Sequence, residues 1–540
     1  MALMDRAEWR HFQGIARRFV VALLFLVTHH LPAHADVGAR LQDLLTRDAV
    51  QIFGVAYTPE PLREAYAARG YAPVFVDETG PVKRAMELIR VLSESSGDGL
   101  VPQDYLGNLP ENWMDADPAE IEFALSDAFR RYGRDISGGR TTAAISEPDI
   151  VIGRKTFDLG FWLERAAIVG PEAIVAELRP RHQQYDRLRH MLLGYRALAA
   201  RGGWPVISAG ATLKPDMVDP RVAELRANMS ARGYNGLNDT PDATVYDAAV
   251  ARAVSHFQER NGLENDAVVG PQSLAALNMP AEERVNQIVV NMERWRWLAP
   301  DLGGRHILVN QANFKLQLVE NGKIVDERRV IVGKAFHKSP MFSDKIRYLE
   351  FNPTWTVPHS IAGNEMLPKL RRDPGYLERN DYKIYTSWEA DAPAMSAHSV
   401  NWSNVTSSRF PFKIVQQPGA LNALGRVKFM FPNAFDVYLH DTPSRGLFAR
   451  ADRALSHGCI RVQDPIDFAE MLLKADRGIG PAEISAILES KQTTRVDLKT
   501  PLAVHLTYFT VWVSDEGVPA FYNDVYERDA LVARVFFGSV

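Results

Sequence analysis

Ser456-His457-Gly458-Cys459-Ile460-Arg461 holds the only cysteine of a 540-residue chain. A lone thiol makes no intramolecular disulfide, so in an exported protein it links two molecules, reacts, or is incidental. At neutral pH such a thiol is only a few per cent thiolate, and it becomes a nucleophile when a base or a positive neighbour attends it. The turn offers such neighbours. His457 and Arg461 flank the sulfur, and Gly458 lets the backbone approach a reacting carbonyl closely. The amides of Gly458 and Cys459 are candidate oxyanion donors. Ser456 and His457 are candidates for orienting the turn, and Arg461 for lowering the thiol pKa or gripping a substrate carboxylate.

The candidate base is His440. In Asp436-Val437-Tyr438-Leu439-His440 the alternation of a strand sends Val437 and Leu439 one way and Asp436, Tyr438 and His440 the other. Ile460 and Val462 likewise face a core, with Cys459 and Arg461 opposite. If the two strands are neighbours, His440 and Cys459 share a face. Taken singly, a cysteine is more often buried and inert and a strand histidine more often a satisfied core residue; their combination in an exported chain favours chemistry. A metal site is the rival, with His440, His457 and Cys459 as three ligands. No closely spaced fourth ligand accompanies them, and G-x-S-x-G and H-E-x-x-H are absent. Behind the turn, Asp464 and Pro465 read as N-cap and first residue of a helix to about Lys474.

The elements that must position these residues come in several blocks. Arg6, Arg10, Arg17 and Arg18 precede an apolar run from Phe19 to Val27, and Ala33-His34-Ala35 offers a cleavage site. This pattern predicts a signal peptide over residues 1–35, with an uncleaved anchor as the alternative. The run is short against the roughly 20 residues a membrane helix needs, and no later segment is long and apolar enough to span, so the mature chain is expected to be soluble or peripheral to the membrane. With 46% hydrophobic and 24% charged residues, the remainder suits two to four domains with ordinary cores. A net charge of −4 without a later basic run argues against nucleic acid as a partner.

Residues 36–205 read as mainly helical, with helices at Pro61–Arg69, Val82–Ser95 and Tyr185–Ala200. Residues 210–280 read as a compact three-helix module, Arg221–Arg232, Tyr246–Gln258 and Gln272–Leu277. From 281 to 357 the hydrophobic period shifts from helical to alternating, and Asn321-Gly322 marks a hairpin. Between 358 and 418 the alternation lapses into a helix-and-loop stretch, too long for a plain loop and so expected to be an inserted lid. Strands resume over 419–540, and Val504–Tyr526 is expected to complete that domain. The fold class is multidomain α+β: a helical scaffold, a helical module and a mainly β domain carrying the lid.

The module's AV-x-x-FQ-x-x-x-GL, acidic turn and VVG resemble the peptidoglycan-binding module of cell-wall enzymes, with Ala267 where a glycine is usual. His440-Asp441-Thr442 followed by Ser456-His457-Gly458-Cys459-Ile460-Arg461 resembles the signature of the L,D-transpeptidases. Phe351-Asn352-Pro353-Thr354-Trp355-Thr356-Val357-Pro358, Gln417-Pro418-Gly419 with Asn422-Ala423-Leu424-Gly425, and Lys428-Phe429 to Pro432-Asn433 resemble its large scaffold-bearing subgroup of the Gram-negative periplasm. The resemblance implies that His440 activates Cys459, that a stem tetrapeptide acylates it with loss of D-alanine, and that an amine of a second stem resolves the thioester into a 3→3 cross-link. It implies no metal and no cofactor. Asp441 would set the state of His440, and Arg461, Tyr438 and Asn422 would contact substrate. Glycan strands and glycan synthases are the expected partners. L,D-carboxypeptidase action, attachment of a protein to the wall, and a non-catalytic wall-binding scaffold are the alternatives.

Overall fold

The computed structural model describes residues 36–153 and 155–538, so the expected signal peptide lies outside the described residues. At the centre of the scaffold lies a 21-residue helix, α1 (Pro118–Gly138), which Asp117 caps through the Ala119 amide ahead of Pro118. Phe123, Leu125, Phe129, Tyr132 and Ile136 are buried along it. Its buried Glu122 accepts from the amides of Val74 and Phe75 and from the Tyr66 hydroxyl, so the carboxyl enters the core with partners. The expected helices appear at Glu60–Ala68, Lys83–Ser93 and Gln183–Ala199, the last named α2 here.

Helix α3 (Ala281–Trp297) packs along α2 and belongs to two cores at once. Ile288, Val289, Met292 and Trp295 lie in the scaffold cluster, while Val290 and Trp297 enter the β domain's cluster. A fully buried Glu293–Arg296 pair at 2.8 Å and the Glu293 contacts to the Thr141 amide and hydroxyl pin this helix. A charge pair so buried is held by its extra hydrogen bonds rather than by Coulomb attraction alone.

The helical module has its own core around Val222, Leu225, Val250, Val254 and Phe257. Its Gln258 explains the glutamine of the sequence pattern. The buried amide donates to Asp266, Val268 and Ser273 and accepts from the backbone N–H of Asp266 and Ala267, tying the acidic turn to the helix. Ala267 sits there at φ +57°, a conformation that glycine adopts without penalty.

In the β domain nine strands form one sheet: β1 (Arg305–Asn310), β2 (Lys315–Glu320), β3 (Lys323–Gly333), β4 (Phe342–Phe351), β5 (Val427–Met430), β6 (Leu439–His440), β7 (Ala454–Ser456), β8 (Ile460–Val462) and β9 (Thr494–Thr507). Their order is β7-β3-β8-β6-β5-β4-β9-β1-β2, and β2 also pairs with β3, so the sheet closes on itself. Closure leaves the short β7 attached outside the ring and removes most free edges. Asn321 and Gly322, at φ +49° and +78°, make the β2–β3 hairpin turn that the sequence predicts.

Two expectations need correction. The lid is not free of strands: Trp355–Thr356, Tyr382–Tyr385, Ala394–Met395 and Lys413–Gln416 form a four-stranded sheet over a separate core of Met366, Leu367, Leu370, Trp402 and Ile414. Strands of two to four residues are too short to show a period. The C-terminal stretch also divides. β9 completes the closed sheet, but the hairpin Val511–Val513 with Pro519–Phe521 packs its Val511, Val513 and Phe521 into the scaffold core.

Candidate active site

Strands β6 and β8 are neighbours and parallel, with Leu439 opposite Ile460 and His440 opposite Arg461. Leu439 and Ile460 are fully buried in the core. Tyr438, His440, Cys459 and Arg461 therefore share the other face. Lys428 of β5 lies opposite His440 and extends this face, its ammonium over the Tyr438 ring and 3.2 Å from Glu350.

The turn that carries Cys459 is held from several sides. Ser456 Oγ donates to the Cys459 carbonyl at 2.5 Å and accepts from the Gly458 amide at 3.1 Å. Ser339 Oγ donates to the Gly458 carbonyl at 2.6 Å and accepts from the Gly333 amide, while the Tyr526 hydroxyl donates to the Gly333 carbonyl. Gly458 has φ +117°, which a side chain would strain. Of the two candidate oxyanion amides, that of Gly458 is engaged by Ser456, and that of Cys459 has no backbone partner among the described residues.

Cys459 keeps partial solvent access, and its sulfur lies 3.9 Å from the Asp436 carbonyl. Burial pushes the thiol pKa up, while the amide and hydroxyl of Tyr438 and the charges of Lys428 and Arg461 pull the other way. His440 is buried and its Nδ1 meets the Asp441 carbonyl at 2.5 Å. Burial first, and then Arg461 and Lys428, bring its pKa down to about 3. Burial thus favours the uncharged form of both groups. No hydrogen bond joins these two described side chains; catalytic contacts of this kind commonly tighten only when substrate arrives.

Arg461 is half-buried and its Nε has no hydrogen-bond partner among the described residues. His457 turns the other way, to Glu365 of the lid, with Nε2 2.6 Å from Oε1. Among the described residues no group of three or more His, Cys, Asp or Glu side chains is arranged to hold a metal ion, and no helix is long and apolar enough to cross a membrane. A cavity of about 390 Å³ between scaffold and β domain, lined by Lys155, Trp297, Met341 and Phe342 among others, includes neither Cys459 nor His440 and does not mark the reaction site.

Residues 304–485 match the model of the L,D-transpeptidase catalytic domain. The matched stretch takes in the lid and the Cys459 turn. Residues 60–192 match the model of a scaffold domain and residues 218–277 that of a peptidoglycan-binding domain. A Haemophilus influenzae protein named as a candidate L,D-transpeptidase is 33% identical over 258 residues, which is 47% of this chain and 51% of the relative. The chain thus spans about half the length of the curated relative it matches. It is also similar to the solved L,D-transpeptidase of Xylanimonas cellulosilytica, at 15% identity and TM-score 0.18 over 55% of this chain and 98% of the other. For the L,D-transpeptidase of Stackebrandtia nassauensis the values are 12%, 0.21, 56% and 96%.

Three expected roles in this transpeptidase domain are changed by the geometry. Asn422 is fully buried and spends its side chain on the carbonyls of Pro353 and Gln417 and the amide of Leu424, so it builds the lid's root instead of facing substrate. The Asp441 carboxylate accepts from the amides of Arg426 and Thr442; only its backbone carbonyl meets His440. Asp464 is left-handed at φ +45° and its side chain caps nothing, although Pro465 does begin the helix Pro465–Arg477, α4. Tyr438 stands beside the sulfur as the strand period predicts. Lys428, Glu350, Ser339 and Glu365 are additional neighbours of the site. The period-2 reading of β5, with Val427 and Phe429 inward, could have found Lys428; the others come from strands and loops remote in sequence.

Proposed function

We propose that the chain is a cysteine-dependent L,D-transpeptidase that forms 3→3 cross-links between peptidoglycan stem peptides. The observation that carries this reading is the parallel β6–β8 register, with His440, Tyr438, Cys459 and Arg461 on one face of an L,D-transpeptidase domain.

In this reading the Cys459 thiol gives its proton to His440 as the sulfur attacks the carbonyl of the diaminopimelate at position three of a stem tetrapeptide. The developing oxyanion meets the Cys459 amide, since the Gly458 amide is engaged. His440 then protonates the departing D-alanine amine. The orphan Arg461 Nε, held in a water-poor setting, suits a stem carboxylate. Ser456 holds the turn, His457 ties it to the lid through Glu365, and the lid shields the thioester from water so that an amine resolves it. Asp441 acts through its carbonyl, which fixes the imidazole tautomer. The helical module would hold glycan strands, glycan synthases would supply nascent ones, and the site of action would be the periplasm, reached through a cleaved signal peptide, with the mature protein peripheral to the membrane.

The test is mass spectrometry after incubating mature protein, and Cys459→Ala beside it, with diaminopimelate-containing disaccharide tetrapeptides. A dimer lighter than two substrates by one D-alanine, absent with the variant, is the expected product. Tripeptide monomer alone would instead identify an L,D-carboxypeptidase, and unchanged substrate would overturn the enzymatic reading.

A further inference from the structure

The lid touches the nucleophile's turn through a carboxylate and an imidazole. Glu365 lies in a π-helical turn of the lid, Ala362–Met366, a local form that is rare and concentrated at functional positions. Its Oε1 is 2.6 Å from Nε2 of His457, two residues before Cys459. The side chains are 47% and 31% exposed, so a solute reaches both. A contact this short needs a proton between the partners. With that proton on Nε2, the Nδ1 lone pair is open, and no group among the described residues bonds to it; His337 stands beside the ring at a centroid distance of 5.1 Å. Ser456 and Ser339 fix the backbone that carries the ring.

The second half-reaction presents a problem in protons. An alkyl amine near neutral pH is an ammonium ion. It must lose one proton to gain a nucleophilic lone pair and a second as the amide forms. His440 is a single, buried imidazole on the sulfur's strand face and can hold one of them. Something else must attract the cation and take the first.

We propose that Glu365 and His457 are the acceptor-side pair of this enzyme: the Glu365 carboxylate draws in the acceptor's ammonium group, and His457 Nδ1 removes its first proton. This inference rests on the transpeptidase reading above. His457 becomes an imidazolium paired with Glu365 and releases its proton to solvent. The amine nitrogen attacks the thioester carbonyl, the C–N bond forms and the C–S bond breaks. The second N–H proton passes to His440 and then to the departing sulfur, restoring the Cys459 thiol. The same contact couples lid closure to acceptor binding, because the pair exists only while the lid lies against the turn.

The experiment separates the two half-reactions. Acylation is followed by intact mass with tetrapeptide donor, and the acyl-enzyme is then partitioned between water and increasing concentrations of a diaminopimelate-containing stem as acceptor. Glu365→Gln and His457→Gln are each expected to lower the transfer-to-hydrolysis ratio about a hundredfold, as loss of a general base does, and to lower acylation far less. Glu365→Asp is expected to restore part of the ratio. Equal losses in both half-reactions would overturn the proposal and reduce the pair to a support for the turn. An unchanged ratio would overturn it as well. If the unaltered protein acylates but transfers to no amine, it is the transpeptidase reading that fails, a result distinct from either.

Discussion

Arg461 lies directly opposite His440 in the β6–β8 pairing, and after burial its guanidinium is the strongest influence holding that imidazole neutral. The same charge favours the Cys459 thiolate. One residue therefore pulls both Cys459 and His440 downward in pKa, keeping the imidazole neutral while partly offsetting the rise that burial imposes on the thiol.

Alkylation of Cys459 by iodoacetamide is expected to rise with pH and to inflect above the ordinary thiol range, with no plateau at acid pH. A thiolate–imidazolium pair would react at a constant rate well below neutrality. Arg461→Gln is expected to move the inflection higher still and to raise the His440 pKa from about 3, which a titration by NMR would read.

Asn422→Ala is expected to lower stability by about 2 kcal/mol, because it strands buried carbonyls and an amide at the lid's root. Chemical denaturation followed by tryptophan fluorescence would measure it. Acceptor affinity at saturating lid closure should be nearly unchanged; a large rise in KM with no loss of stability would return Asn422 to the substrate surface.

Ala267→Gly in the helical module is expected to stabilise the chain by about 1 kcal/mol, since it relieves a left-handed alanine without touching a side-chain contact. The turn's hydrogen bonds to Gln258 and Tyr246 run through the Ala267 backbone and survive the change. A lower melting temperature in the variant would contradict this.

Acid is expected to loosen the junction of scaffold and β domain before the module. Burial holds His182 and His505 down to about 4, and it also lowers His306, whose ring lies 5.5 Å from that of His505. These groups fold as neutral rings, so the unfolded chain binds more protons as pH falls. Their contribution is complete above the ordinary histidine value of about 6.5 and is lost progressively between there and about pH 4. Each unit of separation is worth about 1.4 kcal/mol at full burial. Hydrogen exchange at α2, α3 and β9 between pH 7 and 4 would show protection falling there first; uniform loss across the chain would count against the idea.

Much of this protein follows from local pattern. The alternation of Val437, Leu439, Ile460 and Val462 with Tyr438, His440, Cys459 and Arg461 is a property of the strand, so the sequence alone determined which residues share the face of Cys459. The helical period located the long helices, and Asn321-Gly322 located a hairpin, because those turns need φ > 0 and few residues accept it. Tertiary structure decided what no local window contains. Ser339 and Glu365 reach the Cys459 turn, and Tyr526 braces Ser339 and Gly333 behind it, from segments more than sixty residues away, and their side chains bear no mark of it in sequence. Asn422 is polar in the way a substrate contact is polar, yet burial at the lid's root commits each of its hydrogen bonds to backbone. The lid's sheet and the C-terminal hairpin's place in the scaffold core were equally out of reach, since strands of two to four residues take their partners from long-range pairing and show no period of their own.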